Sequence, residues 1–135
     1  NFSLDDCKTQ RNLNQQGIEQ SILLGKIFQD NKISFDKFYS SQWCRCIDTA
    51  QYAFGEYQEL NLLNSTFSHN YQKNHLRQMK ELKKLIFNLK EDHGNIIFIT
   101  HYVIIAGLLD YYPNSGEIVI ADKSLKVLGS IKTSY

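Results

Sequence analysis

Residues 95–109, NIIFITHYVIIAGLL, join two different apolar patterns at a single histidine. Gly94 breaks the chain before them, and Ile96-Ile97-Phe98-Ile99-Thr100 then forms a continuous run of β-branched and aromatic residues. Such a run reads as a strand buried on both faces, of the kind found inside a parallel sheet. Residues 102–109 are apolar all round, long enough for about two helical turns, and Tyr111-Tyr112-Pro113-Asn114 ends them. The pattern places His101 at the carboxyl end of a central strand, where a helix begins. Open α/β sheets bind ligands at that edge, and helix N-termini offer free N–H groups to anions. An anion site is the expectation, weighed against a merely hydrogen-bonded structural histidine.

Upstream, residues 36–41 (DKFYSS) predict a short strand ending in paired serines, and residues 43–54 predict a helix. Ser41 is the candidate N-cap, and Gly55 is placed to terminate the helix. Arg45 falls in its first turn. If the two strands run parallel, Arg45 and His101 rise from the same edge of the sheet. A guanidinium fork and an imidazolium over two helix N-termini suit a tetrahedral dianion, since arginine holds two oxygens and histidine donates to a third. Arg11, in the loop before the first helix, is placed to add a second fork. Each arginine taken alone also reads as a surface ion-pair partner, and for Arg11 alone that reading is preferred; the coincidence of position is what favours the joint one.

The remaining elements follow from period and punctuation. Residues 14–30 predict a helix with Asn14 as N-cap, Leu13 stapling to Ile18, and an apolar face of Ile18, Ile22 and Ile27 with Leu23 and Phe28 beside it. Residues 57–63 read as a strand and 64–70 as a loop. Residues 71–92 give the longest helix, with Leu76, Met79, Leu82, Ile86 and Leu89 as its stripe; Lys80, Lys83, Lys84 and Lys90 form a solvated face, without the interleaved aromatics of a nucleic-acid surface. Residues 117–121 and 125–131 form an antiparallel hairpin through Asp122-Lys123-Ser124, at one end of the sheet. The order predicts one α/β domain over residues 1–135, a three-layer α/β/α sandwich with a mostly parallel sheet and a C-terminal antiparallel hairpin.

Composition narrows the function classes. A chain of 135 residues supports one core, and its 42% hydrophobic and 21% charged content is that of a soluble globular domain. A formal net charge of +1 gives no global attraction to nucleic acid, so any pull on anions is local. No run of about 18 apolar residues is present, so no membrane span is expected. Cys7, Cys44 and Cys46 could pair once or all stay reduced, and Cys44-x-Cys46 lacks zinc-ligand spacing. His69, His75 and His93 show no metal-ligand spacing and read as surface residues. No metal and no cofactor is expected. P-loop, G-x-G-x-x-G, G-x-S-x-G and Cys-x5-Arg motifs are absent.

Several segments in order carry a resemblance. Asp6-Cys7-Lys8-Thr9-Gln10-Arg11-Asn12-Leu13, Gly17, Gln20, Ser40-Ser41-Gln42-Trp43-Cys44-Arg45-Cys46-Ile47-Asp48-Thr49-Ala50, Phe54-Gly55, Thr100-His101 and Ser115-Gly116-Glu117 together resemble the histidine phosphatase superfamily, with its phosphoglycerate-mutase-like fold. More narrowly they resemble a bacterial branch with DCxTQRNL and WCRCxDTA segments. The resemblance implies hydrolysis of a phosphomonoester, on a small molecule or a phosphoprotein, through a phosphohistidine. His101 and Arg45 then bind the transferring phosphoryl group, Arg11 assists, and Glu117 is the candidate general acid, ahead of Asp48 and Asp6. Relatives of this branch imply a periplasmic or otherwise exported location, with a cytoplasmic one as the alternative. Cys7 and Cys44 flank Arg11 and Arg45, and a disulfide between them suits export.

The family's Arg-His nucleophile motif is missing from the sequence. The expectation is an N-terminally incomplete domain, with the nucleophilic histidine and the first central strand upstream of Asn1. The alternative is a non-catalytic phosphate-binding module on the same fold. The bulk of Tyr102, Val103, Ile104 and Ile105 alters the leaving-group side of the pocket. Substrate identity and oligomeric state are not legible from the sequence.

Overall fold

In the computed structural model, which describes residues 2–67, 71–89 and 94–133, the two strands that lead to Arg45 and His101 pair in parallel. β1 (Phe35–Ser40) lies between β2 (Gln58–Glu59) and β3 (Asn95–Ile99), giving a three-stranded parallel sheet in the order β2-β1-β3. The register shifts between Phe35 and Lys37. An extra residue in one strand reverses the alternation of faces, so Phe35 shares a face with Phe38. There the rings of Phe28 on α1 (Gln15–Asp30), Phe35, Phe38 and Phe54 on α2 (Cys44–Phe54) meet with centroids 4.9–6.0 Å apart. Across the sheet, Tyr39 stacks on Phe98 at 5.5 Å. It joins Leu63, Met79, Leu82, Ile86 and Ile104, supplied largely by α3 (His75–Phe87) and α4 (Tyr102–Leu109). The sheet is thus sandwiched between two helical layers.

Several expectations need correction. β3 is not central among the described residues. It forms one edge of the sheet, with Ile96 to Ile99 only half-buried. A groove of about 1100 Å³ runs along this region, lined by Leu24 and Phe28 of α1, Ile97 and Ile99 of β3, Ile105 of α4 and Val119. A continuous apolar run cannot distinguish a strand paired on both sides from one facing such a groove. The hairpin, β4 (Ile118–Ala121) and β5 (Val127–Ile131), is a separate antiparallel sheet rather than one end of the main one. Its turn is held by Asp122, whose carboxylate accepts from Ser124 N–H at 3.0 Å and Lys126 N–H at 3.0 Å. The strand expected over 57–63 shrinks to β2 followed by a 3₁₀ turn at Asn61–Leu63.

Helix boundaries hold better than helix faces. Asn14 caps α1 by accepting from Gly17 N–H at 2.8 Å, and Gly55 ends α2 at φ +76°. On α1, however, Ile22 and Leu23 are exposed while Ser21 and Phe28 are buried. The buried stripe turns on small residues because α1 lies against α2. A Cβ on Gly25 would sit 1.9 Å from Ala53 O. The long helix is shorter than expected, starting at His75 after a 3₁₀ turn at Gln72–Asn74; residues 90–93, including Lys90, lie outside the described residues. Leu76 is 84% exposed, and Gln78 occupies the inner face instead, donating to Leu62 O at 2.9 Å and Asn64 O at 2.7 Å. Gly25→Ala is therefore expected to force the two helices apart and destabilise the chain by about 1–3 kcal/mol, read as a lowered urea midpoint.

Candidate functional site

Ser41 continues the strand pairing past β1 by donating its N–H to Ile99 O at 2.9 Å. This contact sets the ends of β1 and β3 side by side, and the chain leaves one into α2 and the other into α4. His101, the residue before α4, is buried, and its side chain does not cap the helix. Its Nε2 lies 2.8 Å from Ser41 Oγ, and its Nδ1 lies 3.1 Å from an Arg45 Nη in the first turn of α2. The structure thus brings Arg45 and His101 together at the carboxyl edge of the parallel sheet. Trp43 packs edge-on against the imidazole at 5.3 Å and is itself covered by Phe2 at 5.0 Å. Both Arg45 and His101 line the groove along β3.

The partners of His101 fix its tautomer. A guanidinium only donates, so Nδ1 is the acceptor and Nε2 carries the proton. Burial, then the charge of Arg45, pushes the His101 pKa down to about 3. The free site therefore holds one cation beside a neutral imidazole, not the guanidinium–imidazolium pair expected from the residue types. Among the described residues no carboxylate lies within ion-pair distance of Arg45. Cys46, buried and reduced, has its Sγ 3.7 Å from Nε2, and burial pushes its thiol up to about 11.

Ser41 does not cap α2. Its hydroxyl accepts from Trp43 N–H at 3.1 Å, outside the helix, and is otherwise committed to His101 and to Asn64 Oδ1 at 3.2 Å. The first amide of α2, Cys44 N–H, donates instead to Gln10 Oε1 at 2.9 Å. Gln10 is held there by the Cys7–Cys44 disulfide, whose Cα atoms are 5.7 Å apart. The pairing suggested by the positions of the two cysteines is present, and it anchors the segment carrying Arg11 to the start of α2. Arg11 itself is exposed and does not line the groove.

Glu117 lines the groove but is occupied locally. It accepts from Tyr111 OH and from Asn114 N–H at 2.9 Å. The Tyr111 hydroxyl, followed by the Asn114 amide, holds its carboxyl below the usual range. A general acid works best with a raised pKa, so this environment does not favour that role. Asp6 caps a 3₁₀ turn at Cys7–Thr9 by accepting from Lys8 N–H at 3.1 Å, and Asp48 is half-buried on α2. His75 is not a free surface residue. Its Nδ1 meets Thr66 Oγ1 at 2.6 Å, and its ring leaves no room for a Cβ on Gly107. His69 and His93 lie outside the described residues. Sequence reasoning missed Asn64 and Gln10. Gln10 lies within the Asp6–Leu13 segment that carries the resemblance, a signal that could have found it, whereas Asn64 shows no periodic or motif signal; each is placed by a turn and not by a regular element.

The chain is thus a mixed α/β protein whose parallel sheet carries Arg45 and His101 together at its carboxyl edge, with no carboxylate within ion-pair distance of Arg45 among the described residues. Residues 7–65 match the family model of the histidine phosphatase superfamily (branch 1), a span that contains Arg11, Ser41 and Arg45 and stops before His101. The resemblance to that superfamily read from the sequence is borne out over that span. No curated protein matches the chain significantly.

Two measurements follow from this geometry. A histidine with a folded pKa near 3 and an ordinary value of 6.5 binds fewer protons folded than unfolded between those limits. Its contribution to stability is complete above about pH 6.5 and is lost as pH falls toward 3. Melting temperature is expected to drop more steeply between pH 6.5 and 5 in the natural chain than in His101→Gln. Thiol titration of denatured, unreduced protein is expected to find one free thiol, Cys46, and all three cysteines after reduction.

Proposed function

We propose that the chain supplies the phosphoryl-binding part of a phosphomonoester hydrolase of the histidine phosphatase type. The observation that carries this reading is the convergence of Arg45 and buried His101 at 3.1 Å, with no carboxylate to neutralise the arginine among the described residues. The match over residues 7–65 supports a phosphatase or mutase chemistry in general. Phosphoryl transfer depends chiefly on positioning and on neutralising charge over the phosphoryl oxygens. Arg45 supplies a permanent fork for two of these oxygens, and His101 donates to a third once its Nδ1 is protonated. Arg11, on the tethered segment, joins them on ligand binding.

In this reading a histidine attacks phosphorus, the ester oxygen leaves with a proton, and water hydrolyses the phosphohistidine. The sequence contains no Arg-His pair, so the reading takes the nucleophile from a segment preceding Asn1. Substrates are phosphomonoesters, carried by a small molecule or a protein. The disulfide favours an oxidising, exported compartment. Among the described residues no helix is long and apolar enough to cross a membrane.

Calorimetry with inorganic phosphate tests the site in the chain as it exists. Arg45→Ala and His101→Ala are each expected to weaken binding at least about tenfold, equivalent to about 1.4 kcal/mol. Unchanged affinity in both would overturn the reading. Acid-labile phosphate on histidine, sought in the gene product purified from its own cells after exposure to a phosphomonoester, separates the hydrolase from a binding module that lacks the chemistry.

A further inference from the structure

The bonds behind His101 form a directed chain. Nε2–H points to Ser41 Oγ at 2.8 Å, and the same oxygen accepts from Trp43 N–H at 3.1 Å. With its acceptor capacity taken, Ser41 donates its own proton to Asn64 Oδ1 at 3.2 Å. That oxygen also accepts from Gln42 N–H at 2.8 Å, while Asn64 Nδ2 donates to Gln42 Oε1 at 2.8 Å. Asn64 is therefore locked with its carbonyl toward Ser41, and the direction of every proton in the chain is determined. Among the described residues, the titratable groups facing the ring are Arg45 and Cys46, both from α2.

We propose that Ser41 and Asn64 are positioning residues for His101, keeping the proton on Nε2 and presenting Nδ1, beside Arg45, as the nitrogen that meets a bound tetrahedral oxyanion. The inference rests on the phosphoryl-binding reading of this site. When the oxyanion draws the guanidinium away from Nδ1, that nitrogen takes one proton from solvent and donates it to the anion. Both ring N–H groups are then satisfied, Nε2–H by Ser41 and Nδ1–H by the ligand. Without the relay the imidazolium would carry one buried N–H lacking its oxygen partner, which is unfavourable. Phosphate affinity consequently depends on residues that never touch phosphate.

Nitrogen NMR of the His101 ring, together with sulfate titrations, tests the relay. Sulfate is chosen because it does not titrate near neutral pH. The free chain is expected to show the proton on Nε2, and its sulfate affinity to fall as pH rises. Ser41→Ala and Asn64→Ala are expected to weaken sulfate binding at least tenfold and, with Arg45 left as the one tether of the ring, to populate the Nδ1–H tautomer beside the Nε2–H one. Asn64→Asp keeps an acceptor oxygen opposite Ser41, and it should restore both the tautomer and much of the affinity. A proton on Nδ1 in the free chain overturns the proposal, as does unchanged sulfate binding in folded Ser41→Ala and Asn64→Ala. If Ser41→Ala fails to fold, the two Asn64 variants decide. If the natural chain binds neither sulfate nor phosphate, the phosphoryl-binding reading fails, and the ring tautomer in the free chain and the Asn64 variants still decides the positioning role.

Discussion

A buried imidazole needs both of its nitrogens satisfied, and much of the local structure follows from how this is done for His101. Parallel pairing delivers Ser41 to one nitrogen and the first turn of α2 delivers Arg45 to the other. Because Ser41 is committed to the ring, it is not free to cap the helix that follows it. The orphan amide at Cys44 is then satisfied from a distant part of the chain, by Gln10. The disulfide between Cys7 and Cys44 holds that donor–acceptor pair in place. Closing a loop with a sequence separation of 37 is worth roughly 2–4 kcal/mol in the chain-entropy view. The N-terminal segment is thus tied to the start of α2 by both a covalent bond and a cap.

This dependence explains what the sequence could and could not reveal. The positions of β1, β3, α2 and α4 are legible because paired serines end the first, continuous apolar runs mark the second and the last, and Gly55 and Pro113 punctuate the helices. The meeting of Arg45 and His101 was legible too, since parallel strands followed by helices bring their carboxyl ends to one edge. For Ser41 the local sequence points to the wrong bond. A serine after a strand and before a helix has the same local signature whether it caps the helix or turns toward a neighbouring strand. Asn64 carries no signature, and Gln10, although inside the Asp6–Leu13 segment, gives no sign of its bond to Cys44, because the partners of both lie far away along the chain.

The misread faces have a common cause. Period alone marks Ile22 and Leu76 as core residues, yet both are exposed. The buried face of α1 is selected by how closely α2 can approach at Gly25, which is a steric criterion that hydrophobicity does not record. On α3, Gln78 is inside because the turn at Leu62 and Asn64 presents backbone carbonyls that need donors. β3 reads as central from composition and lies at an edge of the described sheet, because its apolar side chains face a groove.

The electrostatics of the site favour a resting state that is only half charged. A second cation about 4 Å from a guanidinium would cost about 4 kcal/mol at an effective dielectric near 20, so the imidazole stays neutral while nothing anionic is present. Arg45 in return gains an acceptor in Nδ1, which holds its fork near the edge of the sheet. A dianion reverses both terms at once. It replaces the weak neutral acceptor of the guanidinium with a charged one, and it turns the repelled proton on Nδ1 into a favourable donor. In the phosphoryl-binding reading proposed above, charge at this site is therefore partly created by the ligand, which limits the cost of keeping two cations buried in its absence. The relay through Ser41 and Asn64 gives that exchange a fixed direction, since the nitrogen free to gain a proton is the one beside Arg45.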